Sequence, residues 1–142
     1  MGNKIKKEMT NYEMLQISSV IKSLEELRLP QRLAYVVMRN LKTLEEELLF
    51  YNQELEKLNQ SYGREGKLEK DSSGQICLEQ NGLPKVKEEY TEAYTKELMD
   101  ILNFKVEVEL FFLPEESLDY EDAKYDPLTL DQMRYVSALC ME

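Results

Sequence analysis

Residues 37–62, VMRNLKTLEEELLFYNQELEKLNQSY, decide the fold that this sequence can adopt. Apolar side chains recur in this stretch at alternating spacings of four and three residues, at Val37, Leu41, Leu44, Leu48, Tyr51, Leu55, Leu58 and Tyr62. This period of about 3.5 residues is typical of a helix that packs along one seam against other helices. At about 1.5 Å of rise per residue, the stretch predicts a helix roughly 38 Å long, which we call the seam helix.

Helical signals lie on both sides of the seam helix. Thr10 and Glu13 are spaced as a capping box, and an amphipathic pattern follows them to about residue 28. Pro30 suits the first turn of the seam helix because it lacks an amide hydrogen. We expect these two helices to form a long antiparallel hairpin. A second capping-box pattern, which begins at Thr129, predicts a short C-terminal helix.

The remaining segments predict a small antiparallel sheet and a third helix. Residues 104–113 alternate apolar and charged side chains, which is the pattern of a strand with one buried face. Residues 64–82 contain the turn sequence Asp-Ser-Ser-Gly and predict a β-hairpin that pairs with this strand. Between the two, residues 84–103 place apolar side chains on one face of a helix. The sequence therefore predicts an α+β fold that is mainly α.

Length and composition predict a single domain over residues 1–142. The chain is 42% apolar and 32% charged, and this balance favours long solvated helix faces. We expect a flexible N-terminal segment at residues 1–9, a protruding β-hairpin at residues 64–82 and an acidic loop at residues 114–127. The net charge of −10 repels phosphate groups, so we expect no direct nucleic-acid binding and a basic protein as partner.

The sequence lacks the residues that common active sites need. It has no histidine, which is the commonest general base near neutral pH and the commonest zinc ligand. Cys77 and Cys140 lie outside any metal-binding or redox motif, and the five glycines form no phosphate-binding loop. We therefore expect a protein that is not an enzyme and needs no metal or cofactor. No apolar run approaches the ~20 residues of a membrane span, and the N-terminus lacks a signal-peptide core, so we expect a cytoplasmic location and no membrane.

The densest charge of the chain lies in residues 115–126. Six carboxylates and one lysine give this stretch a net charge of −5, and two tyrosines are interleaved with them. Because tyrosine rings anchor interfaces and carboxylates steer association, the stretch is a candidate surface for a basic partner; the alternative is a solvated connecting loop. The candidate partner-binding residues are Glu115, Glu116, Asp119, Tyr120, Glu121, Asp122, Tyr125 and Asp126. The seam helix adds a possible homodimer, in which a second copy covers part of the seam.

The order of these signals resembles a family of small uncharacterised proteins from tailed phages and prophages. The resemblance rests on the following stretches in chain order: Leu29-Pro30, residues 34–42, 45–52 and 58–63, Ser73-Gly74, residues 106–109 and residues 128–133 with Leu139 and Met141. It implies a phage protein in the cytoplasm of an infected or lysogenic bacterial cell. We therefore expect a non-enzymatic protein that occupies a surface of another protein, as an inhibitor of a host defence nuclease or of another host protein. The alternative is a structural, assembly or chaperone-like phage component.

Overall fold

The computed structural model describes residues 3–141 and confirms the mainly helical α+β fold. Within that range the chain forms four α-helices, three short 3-10 helices and two β-strands. In chain order the strands and α-helices are β1 (Lys4–Thr10), α1 (Asn11–Ile21), α2 (Gln31–Arg64), α3 (Thr91–Leu102), β2 (Lys105–Phe111) and α4 (Leu130–Cys140). The 3-10 helices are Lys22–Glu26, Glu88–Tyr90 and Glu115–Leu118.

The described chain divides into two compact units. Unit 1 is formed by the described parts of residues 1–49 and 105–142, and unit 2 by residues 50–104. Helix α2 contributes its first part to unit 1 and its second part to unit 2. The prediction of a single domain does not anticipate this division. Unit 2 forms because residues 66–87 pair with one another through β-bridges and pack on the second part of α2.

Helix α2 is the seam helix, and its seam is largely buried as predicted. Six of the eight seam side chains are 8% exposed or less: Val37, Leu41, Leu44, Leu48, Tyr51 and Tyr62. The other two, Leu55 and Leu58, are half-buried in unit 2. The apolar period therefore identifies the buried face of α2 in both units.

The sheet pairs two segments that the sequence analysis does not pair. Strand β1 runs antiparallel to β2, with Lys4 opposite Phe111 and Thr10 opposite Lys105. Residues 4–9 therefore lie in a strand and not in the flexible segment expected for residues 1–9, of which residues 1 and 2 lie outside the described residues. The missed signal of this strand is a period of two, since Ile5, Lys7 and Met9 alternate with exposed side chains. The abundant lysines obscure this pattern because strands are usually identified from apolar and β-branched residues.

Local chemistry explains where two of the helices begin and where one ends early. Both predicted capping boxes are present, at Thr10 before α1 and at Thr129 before α4. Helix α1 ends at Ile21 and continues as a 3-10 helix, whereas the sequence predicts a helix to about residue 28. The tighter turn still buries Leu24, which is 1% exposed. Leu24 is thus buried from a 3-10 turn and not from a continuation of the α-helix.

A buried polar contact joins α2 to the sheet in unit 1. The side chain of Asn40 is fully buried; its Nδ2 donates to the Phe111 carbonyl at 3.0 Å, and its Oδ1 accepts from the Phe111 amide at 2.8 Å. Lys7 of β1 donates through Nζ to the carbonyls of Ala138 and Met141, at the C-terminal end of α4. These contacts satisfy backbone groups that the ends of a strand and of a helix otherwise leave open.

Unit 2 contains a repeat of eight residues, which we call the octad module (residues 66–87). Each of its three segments, residues 66–73, 74–81 and 82–87, begins with a glycine at positive φ: Gly66 at 71°, Gly74 at 88° and Gly82 at 85°. The three segments pair in a closed triangle through bridges between Leu68 and Val86, Lys70 and Ile76, and Leu78 and Pro84. The structure thus replaces the predicted hairpin of residues 64–82 with three segments that extend to Lys87.

A cyclic set of backbone hydrogen bonds closes the triangle. The Glu69 amide donates to the Lys85 carbonyl at 2.8 Å, the Lys85 amide to the Cys77 carbonyl at 2.8 Å, and the Cys77 amide to the Glu69 carbonyl at 2.9 Å. Each segment therefore bonds to both others, and Pro84 lies in a short segment and not at the start of a helix. Helix α3 accordingly begins at Thr91, later than predicted.

The octad glycines should respond to substitution differently from the glycine inside α2. We expect Gly74→Ala to destabilise unit 2 by about 1–2 kcal/mol because an L side chain disfavours positive φ. Gly63→Ala is the matched control: Gly63 lies in α2, and a Cβ there meets Leu68 Cδ1 at an ordinary 3.6 Å. Chemical denaturation followed by circular dichroism should show this control unchanged or up to ~1 kcal/mol more stable. Equal losses for both variants would contradict the backbone explanation.

Candidate functional site

The acidic loop of unit 1 is tied to the rest of the unit at its C-terminal end. Asp126 and Arg28 exchange two hydrogen bonds: the Asp126 amide donates to the Arg28 carbonyl at 2.8 Å, and the Arg28 amide donates to Asp126 Oδ2 at 2.7 Å. The Tyr120 hydroxyl donates to the Asp126 carbonyl at 2.7 Å. The Tyr120 ring also packs edge-on against Tyr125, with ring centroids 5.8 Å apart. These contacts order the loop.

The structure separates the predicted partner-binding residues into two groups. Tyr120, Tyr125 and Asp126 form the half-buried cluster that holds the loop, and burial raises the pKa of the Tyr120 hydroxyl. The other five residues are exposed: Glu115, Glu116, Asp119, Glu121 and Asp122. The hydroxyl and ring of Tyr120 therefore make contacts within the loop itself, with Asp126 and Tyr125.

A groove in unit 2 is the second candidate site, and the sequence analysis does not identify it. It has a volume of about 900 Å³ and lies between the second part of α2 and the octad module. Its lining includes seam residue Leu55 and the module residues Leu68, Ile76, Leu78, Leu83 and Pro84. Ile76 and Leu78 are 43% and 60% exposed. The recurrence of glycine every eight residues is the sequence signal that could have indicated this module.

The groove carries polar groups at its edges. Asn52, Gln60 and Glu56 line it from α2, and Gln60 Nε2 donates to Glu56 Oε1 at 3.1 Å. Arg64 and Lys70 also line it; among the described residues no salt bridge holds either cation, although the charge of Arg64 contributes, after that of Lys67, to lowering the pKa of the neighbouring Glu65. The groove therefore combines an apolar floor with positive charge.

Two buried tyrosines pack in one cluster with Leu68, which lines the groove. Tyr62 and Tyr94 pack edge-on with ring centroids 5.1 Å apart, in a cluster with Leu68. The Tyr62 hydroxyl donates to Glu97 Oε2 at 2.7 Å, and the Tyr94 hydroxyl donates to Asn59 Oδ1. Burial, and secondarily the neighbouring Glu97 carboxylate, raises the pKa of Tyr62 from its ordinary value of 10.0 to about 12.

This shift predicts a loss of stability at high pH. Because the folded-state pKa of Tyr62 lies above its unfolded value, its contribution is complete below pH 10 and is lost as the pH rises toward about 12. Tyr62→Phe should cost about 1 kcal/mol at neutral pH, through the lost hydrogen bond to Glu97, and should flatten the decline above pH 10. The exposed substitution Tyr35→Phe is the control. Denaturant titrations from pH 8 to about pH 11 measure how the free energy of unfolding of each variant falls with pH. An equal fall for Tyr62→Phe and Tyr35→Phe would contradict the prediction.

Neither unit presents a metal centre among the described residues, and the thiol of Cys140 in unit 1 is buried. Within residues 3–141, no group of three or more histidine, cysteine, aspartate or glutamate side chains could hold a metal ion. Burial raises the pKa of the Cys140 thiol to about 11, although Asn40 donates to its sulfur at 3.2 Å. Cys140 is therefore a protonated core thiol at neutral pH.

Comparison with known proteins adds no relative. No family model, curated protein or solved structure matches the chain. Among the described helices, none is both long enough and apolar enough to cross a membrane. The candidate site thus rests on the residues of this chain alone: the acidic loop of unit 1 and the groove of unit 2.

Proposed function

We propose that this protein is a non-enzymatic, phage-encoded binding protein whose acidic loop occupies a basic surface of another protein. The observation that carries the proposal is an ordered loop with five exposed carboxylates, held by Tyr120, Tyr125 and Asp126. An ordered loop loses less conformational entropy on binding than a mobile one. A patch of one charge sign also accelerates association with a surface of the opposite sign.

The phage origin directs the choice of partner. The sequence resemblance described above supports this origin. For a phage protein, the partner that we propose is a host protein in the bacterial cytoplasm, such as a defence nuclease. A nuclease binds nucleic acid through a basic surface, and an acidic loop competes for such a surface by matching its charge. The protein would then act as an inhibitor that blocks substrate access.

A salt-dependent capture experiment tests the proposal. The tagged protein is used as bait in bacterial lysate, with one variant that neutralises three loop carboxylates and one matched variant that neutralises three exposed carboxylates elsewhere in unit 1. The loop variant is Glu116→Gln, Asp119→Asn and Glu121→Gln; the matched control is Glu25→Gln, Glu26→Gln and Glu46→Gln. We expect a basic protein that the wild type and the control retain, and that the loop variant or high salt releases.

The kinetics of the captured protein sharpen this test. The loop variant should associate about tenfold more slowly while its dissociation rate changes little, because steering acts on encounter. Tyr120→Ala should weaken binding by disordering the loop, with a measurable loss of thermal stability in unit 1. Unchanged association of the loop variant would show that residues 115–126 only connect β2 to α4.

A structural, assembly or chaperone-like role is the second candidate function. The observation that favours it is the groove of unit 2, where Ile76 and Leu78 remain exposed. Proteins that bind apolar segments of other chains use grooves of this kind. Capture of a virion protein through the groove, with no dependence on the acidic loop, would favour this second function.

A further inference from the structure

The groove of unit 2 has the length of a helix-binding site. Its lining on α2 runs from Asn52 to Arg64, a distance of about 18 Å at the rise of an α-helix. That length matches about three helical turns, which present apolar side chains at positions i, i+3, i+4 and i+7. The volume of about 900 Å³ is enough for several such side chains.

The apolar surface of the groove is not covered by the protein's own fold. Leu78 and Ile76 project from the octad module with 60% and 43% of their surface exposed, and Leu55 is a half-buried seam residue of α2. Burial of these side chains by a ligand is favourable because it removes apolar surface from water. The closed hydrogen-bonded triangle positions Ile76 and Leu78 without help from a partner.

Charge indicates the chemistry of the occupant. The charged side chains that line the groove, Arg64, Lys70 and Glu56, have a net charge of +1, although the whole chain has a net charge of −10. Arg64 and Lys70 line the groove without a salt bridge in the described chain, whereas the one acidic side chain of the lining, Glu56, accepts a hydrogen bond from Gln60. The groove is therefore suited to a ligand with carboxylates beside its apolar face.

We propose that the groove binds an acidic amphipathic helix of a partner protein. Its apolar side chains pack against Leu55, Ile76 and Leu78, and its carboxylates lie beside Arg64 and Lys70. This inference stands independently of the acidic loop, because the groove and the loop lie in different units and carry opposite charge. A failure of either proposal leaves the other intact.

Selection from a combinatorial library of short peptides tests the inference directly. The immobilised full chain should enrich amphipathic peptides with leucine or isoleucine at helical spacing and with Asp or Glu beside them. The selected peptide should bind about tenfold more weakly to Leu78→Ser, because a buried leucine contributes more than 1.4 kcal/mol. Lys70→Glu should weaken the same peptide and favour its lysine-substituted counterpart.

The control variant is Leu49→Ser, which removes a leucine with the same 60% exposure on α2 but outside the groove lining. Its peptide affinity should equal that of the wild type. Enrichment of basic peptides, enrichment of no peptide, or equal losses for Leu78→Ser and Leu49→Ser would overturn the inference. Sedimentation should show no dimer that depends on Leu78. A wild-type dimer that the Leu78→Ser variant does not form would show that a second copy of this chain occupies the groove, and would overturn the inference.

Discussion

Leu44→Asp should unfold unit 1 or destabilise it by about 4 kcal/mol or more. Leu44 is fully buried in the seam of α2, and the carboxylate would enter an apolar core without an ionic partner. The cost combines the desolvation of a charge with the loss of about one leucine side chain of apolar burial. Urea denaturation at pH 7, followed by circular dichroism at 222 nm, measures the free energy of unfolding.

Ser19→Asp provides the matched control for this substitution. Ser19 is an exposed residue of α1 in the same unit, so the variant adds the same charge without burial. We expect a change within about 0.5 kcal/mol. If Leu44→Asp had the same free energy of unfolding as the control, the seam around Leu44 would have to be open to water, and the packing of α2 in unit 1 would be refuted.

Asn40→Ala should cost about 2–3 kcal/mol, the second largest effect that we predict. The substitution removes both partners of the Phe111 backbone, whose amide and carbonyl then lose their hydrogen bonds at the end of β2. Because Asn40 is fully buried, water does not readily replace the missing side chain. Hydrogen exchange should show faster exchange of the Phe111 amide, and thermal melting should show the global loss.

Two further variants make the Asn40 prediction specific. Asn52→Ala makes the same change at an exposed position of α2, and we expect it to alter stability by less than about 0.5 kcal/mol. Asn40→Asp retains an acceptor for the Phe111 amide but has no donor for its carbonyl when it is ionised. We expect Asn40→Asp to be destabilised at pH 7 and to recover partly on acidification, when the carboxyl regains a proton. An Asn40→Ala protein as stable as the wild type would show that the contact contributes nothing.

The elements that were predicted correctly depend on short-range patterns. The period of the seam helix identifies α2 and its buried face, since side chains three and four residues apart share one side of a helix. The two capping boxes identify the starts of α1 and α4, because a threonine oxygen bonds a backbone amide three residues away. Residues 104–113 alternate clearly enough to identify β2, whose bounds are Lys105–Phe111.

The elements that were missed depend on partners far away in the chain. The weak alternation of β1 is completed by ion pairs with β2: Lys4 Nζ of β1 lies 3.3 Å from Glu109 Oε1 of β2, and Lys105 Nζ of β2 lies 3.7 Å from Glu8 Oε1 of β1. The octad module contains a local turn that was identified, around residues 71–74, but its third segment pairs with both others only in three dimensions. Pro84 indicated a helix start by local rules, and the closed triangle placed it in a paired segment.

The same distinction between local patterns and distant partners holds for the two candidate sites, the acidic loop and the groove. The sequence alone determined the composition of the acidic loop, the period of α2 and the absence of histidine chemistry, because these are properties of residue type and spacing. Only the tertiary structure decided that Tyr120 holds the loop and that Ile76 and Leu78 line a groove beside Leu55. It also decided that the side chain of Asn40, and not a neighbouring strand, forms hydrogen bonds with the backbone amide and carbonyl of Phe111. The physical reason is that burial and hydrogen-bond partners are set by residues as much as 134 positions apart, as Lys7 and Met141 are, and no local pattern contains them.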